Sequence, residues 1–256
     1  MHPPTAARSH PPTSAPAPGP APDTRATVSH LFSTPVARAT CPFAAEINPA
    51  LAARTLERAD ERAKEFGYKR ETTGEFTAWG GPDAIRLSRW VCAVSRRFAE
   101  ALTGTDLAEA HARSAAREAD PDTTPYADPR TDPNAGPGPG RGPLPAVSVG
   151  VTRSWASLYR SGDRHEDHMH PNTALSAVYY VAAPDRCDLE LLDPRPAVDY
   201  YDPGITLAGE SSRVRLSCVP GELLVFPGWL RHRVPEFHGP DTRVSVAWNL
   251  NYTLGG

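Results

Sequence analysis

The sequence predicts a mainly β fold with flanking helices, and three observations carry that prediction. From Val147 onward the chain breaks into short β-rich runs, about 146–160, 174–182, 187–193, 213–218, 222–226 and 243–252. Turn residues separate them, including Ser161-Gly162, Pro184-Asp185, Pro220-Gly221 and Pro227-Gly228. No helical period appears among these runs, so a parallel sheet with crossover helices is excluded and a sandwich, barrel or jelly roll remains. Helical spacing is confined to the earlier part of the chain.

Two helices are expected there. Asn48-Pro49 reads as an N-cap followed by proline at the first helical position, and Leu51, Ala52, Leu56, Ala59, Ala63 and Phe66 then recur on one face up to Gly67. A second helix runs from about Pro82 to Leu102 with Ile85, Leu87, Trp90, Val91, Val94 and Phe98 as apolar positions. Both faces suit packing against a sheet.

Proline divides the chain. Of 29 prolines, eight lie in residues 3–22 and eight more in 121–145, in stretches poor in large apolar side chains. Such stretches cannot bury enough surface to offset the entropy of ordering. The expected organisation is a disordered tail at 1–27, a helical part at 28–103, a flexible insertion at 104–144 and a β core at 145–256.

Composition excludes some functions. A net charge of -3 argues against a general nucleic-acid binder. No apolar run approaches a membrane span, and the N-terminus lacks a signal-peptide shape, so a soluble cytoplasmic protein is expected. The four cysteines, Cys41, Cys92, Cys187 and Cys218, match no zinc or redox spacing and read as reduced thiols.

Chemistry concentrates at 155–172, where three of nine histidines, His165, His168 and His170, fall within six positions. Side chains two apart on an extended strand share a face, so His168 and His170 can address one metal ion. His232, just past the run Pro220–Pro227 and its turn, is the candidate third ligand. His165 reads as a bystander. Downstream, Arg243, Ser245 and Ala247 share one strand face and Val244 and Val246 the other. An inward arginine beside a hydroxyl suits a carboxylate. Trp155, Trp229, Trp248 and the pair Tyr179–Tyr180 flank these motifs. One tyrosine of the pair faces inward and the other outward.

Several stretches together resemble the iron- and 2-oxoglutarate-dependent oxygenases. They are Ser154–Asp163, His168-Met-His-Pro-Asn172, Leu175–Val181, Leu192–Arg195, Gly221–His232 and Arg243-Val-Ser245, together with Leu31–Val36 near the start, while the helical part matches more loosely. More narrowly, they resemble the bacterial and phage group that carries a His-x-His-Pro motif. The resemblance implies a double-stranded β-helix, or jelly roll, holding Fe(II) at its open end with 2-oxoglutarate and O2 as cosubstrates. By resemblance, His168 and His232 are metal ligands, Arg243 and Ser245 hold the far carboxylate of 2-oxoglutarate, and Tyr159 touches it as well. His170 stands where the wider superfamily carries Asp or Glu. His170 is therefore the expected second ligand, with Asp167 and Glu166 as alternatives. The implied activity is oxidation, usually hydroxylation, of a small-molecule or peptide substrate. Two other readings stay open: a three-histidine cupin-type enzyme that does not use 2-oxoglutarate, which leaves Arg243 without a task, and a metal-binding jelly roll without turnover.

Overall fold

The computed structural model describes residues 33–65, 69–119, 144–184, 187–195 and 212–255. The elements in chain order are β1 (Ala37–Thr40), α1 (Ala44–Arg62), β2 (Ala63–Glu65), β3 (Arg70–Thr72), α2 (Phe76–Trp79), α3 (Gly81–Thr103), α4 (Leu107–Ala119), β4 (Val147–Tyr159), β5 (His165–His168), β6 (Leu175–Ala182), β7 (Asp188–Leu192), β8 (Arg213–Ser217), β9 (Glu222–Pro227), β10 (His232–Val234) and β11 (Arg243–Leu254). A seven-stranded sheet has the order β1-β9-β6-β11-β4-β3-β2, and a four-stranded sheet the order β5-β10-β7-β8. Each described strand pairing is antiparallel. This is the jelly-roll architecture expected from the short runs after Val147.

Alternation along the strands of the large sheet builds two cores. On β11, Val244, Val246, Trp248 and Leu250 pack with Ala177, Tyr179 and Val181 of β6 and with Leu223 and Val225 of β9. The helices cover this face with Ile47, Leu51, Leu87, Val91 and Ala99. The Trp248 indole N–H donates to Ser88 Oγ on α3 at 3.0 Å, which satisfies its one polar atom inside the core. The opposite face of the same strands meets the small sheet. There Tyr159, Tyr180, Leu224 and Phe226 pack against Leu189, Leu191, Leu230 and Val234. Thus Tyr180 is the inward member of the tyrosine pair, and Tyr179 faces the helices.

Several expectations change. Helix α1 begins at Ala44, so Pro49 lies inside it rather than at its first position. Asn48 is not a cap. Its amide donates to Val181 O at 3.0 Å and its oxygen accepts from Tyr179 at 2.7 Å, tying the helix to β6. Within the predicted flexible insertion, 107–119 is helical. Its sequence is rich in alanine, which costs no side-chain entropy in a helix, and Asp106 Oδ1 accepts from the Glu109 N–H at 2.9 Å. Leu107 is buried in the helix-side core. The prolines that suggested flexibility start only at 121, and 120–143 lie outside the described residues, as does the predicted tail at 1–27. Among the described residues, no helix is long and apolar enough to cross a membrane.

Candidate functional site

The site forms where β5 and β10 meet at the edge of the small sheet. His232 opens β10 and pairs directly with His168 at the end of β5. The register then shifts: Val234 pairs with His165, so β5 spends one residue more than β10 over this interval. On a regular strand, residues three apart point to opposite faces. The bulge restores parity, and the His165 and His168 rings stack with centroids 3.7 Å apart.

His170 arrives differently from the sequence expectation. Strand β5 stops at His168, so His170 does not share a strand face with it. A turn follows, with Asn172 in the left-handed region at φ 54, a conformation asparagine tolerates. The His170 N–H donates to Gly228 O at 3.0 Å. A Cβ at Gly228 would stand 2.2 Å from Thr173 O, so only glycine lets the two loops cross this closely. The crossing brings His170 to within 5.3 Å of His168 and 5.2 Å of His232, ring centre to ring centre.

One nitrogen from each of His168, His170 and His232 lies within 4.8 Å of the others, the one grouping of three or more such side chains found among the described residues that could hold a metal ion. Three ligands held by one ion at about 2.1 Å lie about 3.0–3.6 Å apart, so modest side-chain rotations would bring the three rings onto a common ion. The tautomers agree. His168 Nδ1 bonds Glu166 O at 2.8 Å, His232 Nδ1 bonds Leu230 O at 2.9 Å, and His170 Nδ1 bonds Asn249 Oδ1 at 2.5 Å. These oxygens only accept, so each Nδ1 carries the proton and each Nε2 keeps a free lone pair. Burial pushes the His232 imidazole down to about 3 and the His168 imidazole to about 4, and it lowers His170 too. All three are neutral near pH 7, the form a metal requires. Three imidazoles with open coordination positions suit a first-row divalent ion such as iron.

Neither alternative carboxylate joins them. Asp167 pairs with Arg231 at 3.4 Å, and Glu166 pairs with Arg164 at 2.7 Å with 63% of its side chain exposed.

Two spaces adjoin the histidines, and His232 lines only the inner one. The inner one is narrow, about 40 Å³, and is lined by Tyr159, Ser176, Leu189, Arg243 and Ser245 beside the three histidines. The outer one is about 320 Å³ and is lined by Lys69, Arg153, Trp155, Met169 and Asn249. His165, His168, His170, Trp155 and Glu71 line both.

Arg243 is 1% exposed at the inner space. Its guanidinium lies 4.9 Å from the Tyr159 ring centre and 5.4 Å from that of Tyr180, and one N–H donates to Asp188 O at 3.1 Å. Among the described residues it has no ion-pair partner, and its Nε has no hydrogen-bond acceptor. Ser176 Oγ is likewise buried without a partner. A buried charge left unpaired is costly, and an anion in this pocket would offset that cost. A dicarboxylate that also reaches the imidazoles matches both ends. The six residues expected from the sequence, His168, His170, His232, Tyr159, Arg243 and Ser245, are therefore brought together at one cavity.

Sequence reasoning missed five contributors. Asn249, which holds His170, continues the Arg243–Ser245–Ala247 alternation and was findable by that signal. Trp155 stacks on His170 at 5.6 Å and 16°. His165, read as a bystander, packs on His168 and is approached by Lys69 Nζ at 2.8 Å. Lys69 and Glu71 come from the β3 segment, and no local signal placed them near the histidines.

A family model described as "Putative 2OG-Fe(II) oxygenase" matches residues 153–249. No curated protein sequence matches the chain. Among solved structures, the non-heme alpha-ketoglutarate-dependent epimerase SnoN from nogalamycin biosynthesis is similar in fold at 14% identity and TM-score 0.51, covering 86% of this chain and 78% of that one. An oxidoreductase of the 2OG-Fe(II) oxygenase family from Burkholderia pseudomallei aligns at 11% identity and TM-score 0.49, over 84% of each chain. A Pseudomonas putida prolyl-4-hydroxylase aligns at 15% identity and TM-score 0.44, over 86% of this chain and 95% of that one. The segment matched by the 2OG-Fe(II) oxygenase family model, 153–249, carries all three clustered histidines together with Tyr159, Arg243 and Ser245.

Proposed function

We propose that this protein is an Fe(II)- and 2-oxoglutarate-dependent dioxygenase that hydroxylates a small-molecule or peptide substrate and releases succinate and CO2. The observation that carries this reading is one cavity with two unlike ends. Three neutral imidazoles converge at one end, and a buried, uncompensated Arg243 waits at the other. In this reading His168, His170 and His232 hold the iron, and Arg243 pairs with the far carboxylate of 2-oxoglutarate. Ser245 and Tyr159 offer hydroxyls beside that carboxylate. Burial keeps the Tyr159 phenol protonated, so it serves as a donor.

Iron and O2 supply the oxidative chemistry, coupling decarboxylation of 2-oxoglutarate to oxidation of the substrate. The chain's own part is positional. Carbonyls of Glu166 and Leu230 and the amide of Asn249 fix the imidazole tautomers. The narrow inner space excludes bulk water from the cosubstrate. The outer space orients the substrate next to the histidines. A three-histidine metalloenzyme without 2-oxoglutarate leaves the Arg243 charge unmatched, which disfavours that alternative.

Succinate release from 2-oxoglutarate under air, with Fe(II) supplied, tests the assignment. The His232→Ala protein should lose at least about 100-fold of this turnover and keep its fold, because His232 contributes a single imidazole at the edge of the inter-sheet core. Unchanged turnover in that variant would remove His232 from the metal site.

A further inference from the structure

The three-histidine grouping lacks the carboxylate that the wider superfamily places at the position of His170. We infer that Glu71, held by Lys69, is an outer carboxylate of the metal centre and that Lys69 keeps it from becoming a ligand. This inference rests on the proposed reading of the three histidines as a metal site.

Four observations support it. Glu71 lines both the inner and the outer space, together with His165, His168 and His170. It lies opposite Ser157 on the pairing of β3 with β4, beside Trp155 and Tyr159, which face the same cavity. Its side chain is only 13% exposed and is ion-paired with Lys69, itself 6% exposed. Lys69 also reaches the His165 ring, at 2.8 Å from Nδ1 and 3.0 Å from Nε2, and that ring stacks on His168.

The charges work in opposite senses on the same imidazoles. Glu71 places negative charge in the wall it shares with His168 and His170, and Lys69 places positive charge beside the His165 ring that stacks on His168. A carboxylate there attracts a divalent cation and an ammonium repels it. Without Glu71 only the repulsion remains. Without Lys69 the carboxylate is freed, and it stands in the wall of the cavity that three ligands leave partly open.

Burial makes the pair consequential. A surface ion pair is screened by water and salt, whereas two charges this enclosed act on the centre at lower effective dielectric. Both residues lie outside 153–249, so the first part of the chain would complete a centre whose ligands all lie in the second.

The test is calorimetric titration of Mn(II) into the full-length apo protein and its variants without 2-oxoglutarate, with circular dichroism to check folding. Glu71→Gln should weaken Mn(II) binding by about tenfold. Glu71→Asp, which keeps the charge, should recover most of that loss. Lys69→Met should tighten binding and alter the Mn(II) electron paramagnetic resonance spectrum as a carboxylate joins the ion. A purely structural role predicts instead that Lys69→Met and Glu71→Gln both weaken binding, and that result overturns the inference. So does wild-type affinity in Glu71→Gln. If the wild-type protein binds no Mn(II), the fault lies with the metal reading itself, which separates the two failures.

Discussion

The two faces of β11 are built from alternate residues of one strand and do opposite things. Val244, Val246, Trp248 and Leu250 lie against the helices in a core where even the indole N–H is satisfied. Arg243, Ser245, Ala247 and Asn249 face the histidines, and there the arginine Nε lacks an acceptor. One face contributes stability and the other gives some of it up. The lesson is that a single strand can carry both tasks, because the pleat separates them completely.

Substitutions on each face should break this symmetry in opposite directions. The largest stability effect is expected on the helix side. Trp248→Ala should cost about 3–5 kcal/mol in urea unfolding, through the cavity it leaves and the loss of the Ser88 hydrogen bond. Where the variant remains folded, 2-oxoglutarate binding should persist. Arg243→Met should do the reverse. It should weaken 2-oxoglutarate binding by at least about thirtyfold while the melting temperature of the unliganded protein holds or rises, because an unpaired buried charge is removed. A marked drop in melting temperature would mean that Arg243 has a stabilising partner and that the face is not held ready for an anion.

A smaller effect concerns pH and sharpens the same contrast. The His168 and His232 imidazoles are held at about 4 and about 3 by burial, below the ordinary value of about 6.5. Between those limits the unfolded chain takes up protons that the folded protein refuses. Stability of the apo protein should therefore fall as pH drops from about 6.5 toward 4, and should be flat with respect to these groups above pH 7. Melting curves of wild type and of a His168→Gln, His232→Gln double variant across pH 7.5 to 4.5 check this. The double variant should lose less on acidification.

The long strands were legible because their signal is local. Runs such as 243–252 alternate for many residues, and the six runs read from the sequence correspond to β4, β6, β7, β8, β9 and β11. Strands of three or four residues were not legible. Ala37–Thr40, Arg70–Thr72 and His232–Val234 are too short to show a period and exist because a longer neighbour offers its hydrogen bonds. Helix α4 was lost to an averaging error, since the prolines of 121–145 coloured the reading of an alanine-rich segment before them.

The site divides the same way. His168, His170, His232 and Arg243 were recognisable from residue type, spacing and family resemblance. Their convergence depends on things no spacing records: the bulge that turns His165 and His168 to one side, and the loop crossing at Gly228 that carries His170 inward. The sequence by itself determined which residues of a strand share a face, because alternation is a property of the backbone and is read from neighbours; the packing of helices and small sheet decided which core each face meets. Only the tertiary structure decided that Lys69 and Glu71 stand at the histidines, because strand pairing across some 90 positions is set by the packing of the whole sheet and leaves no trace in either segment alone.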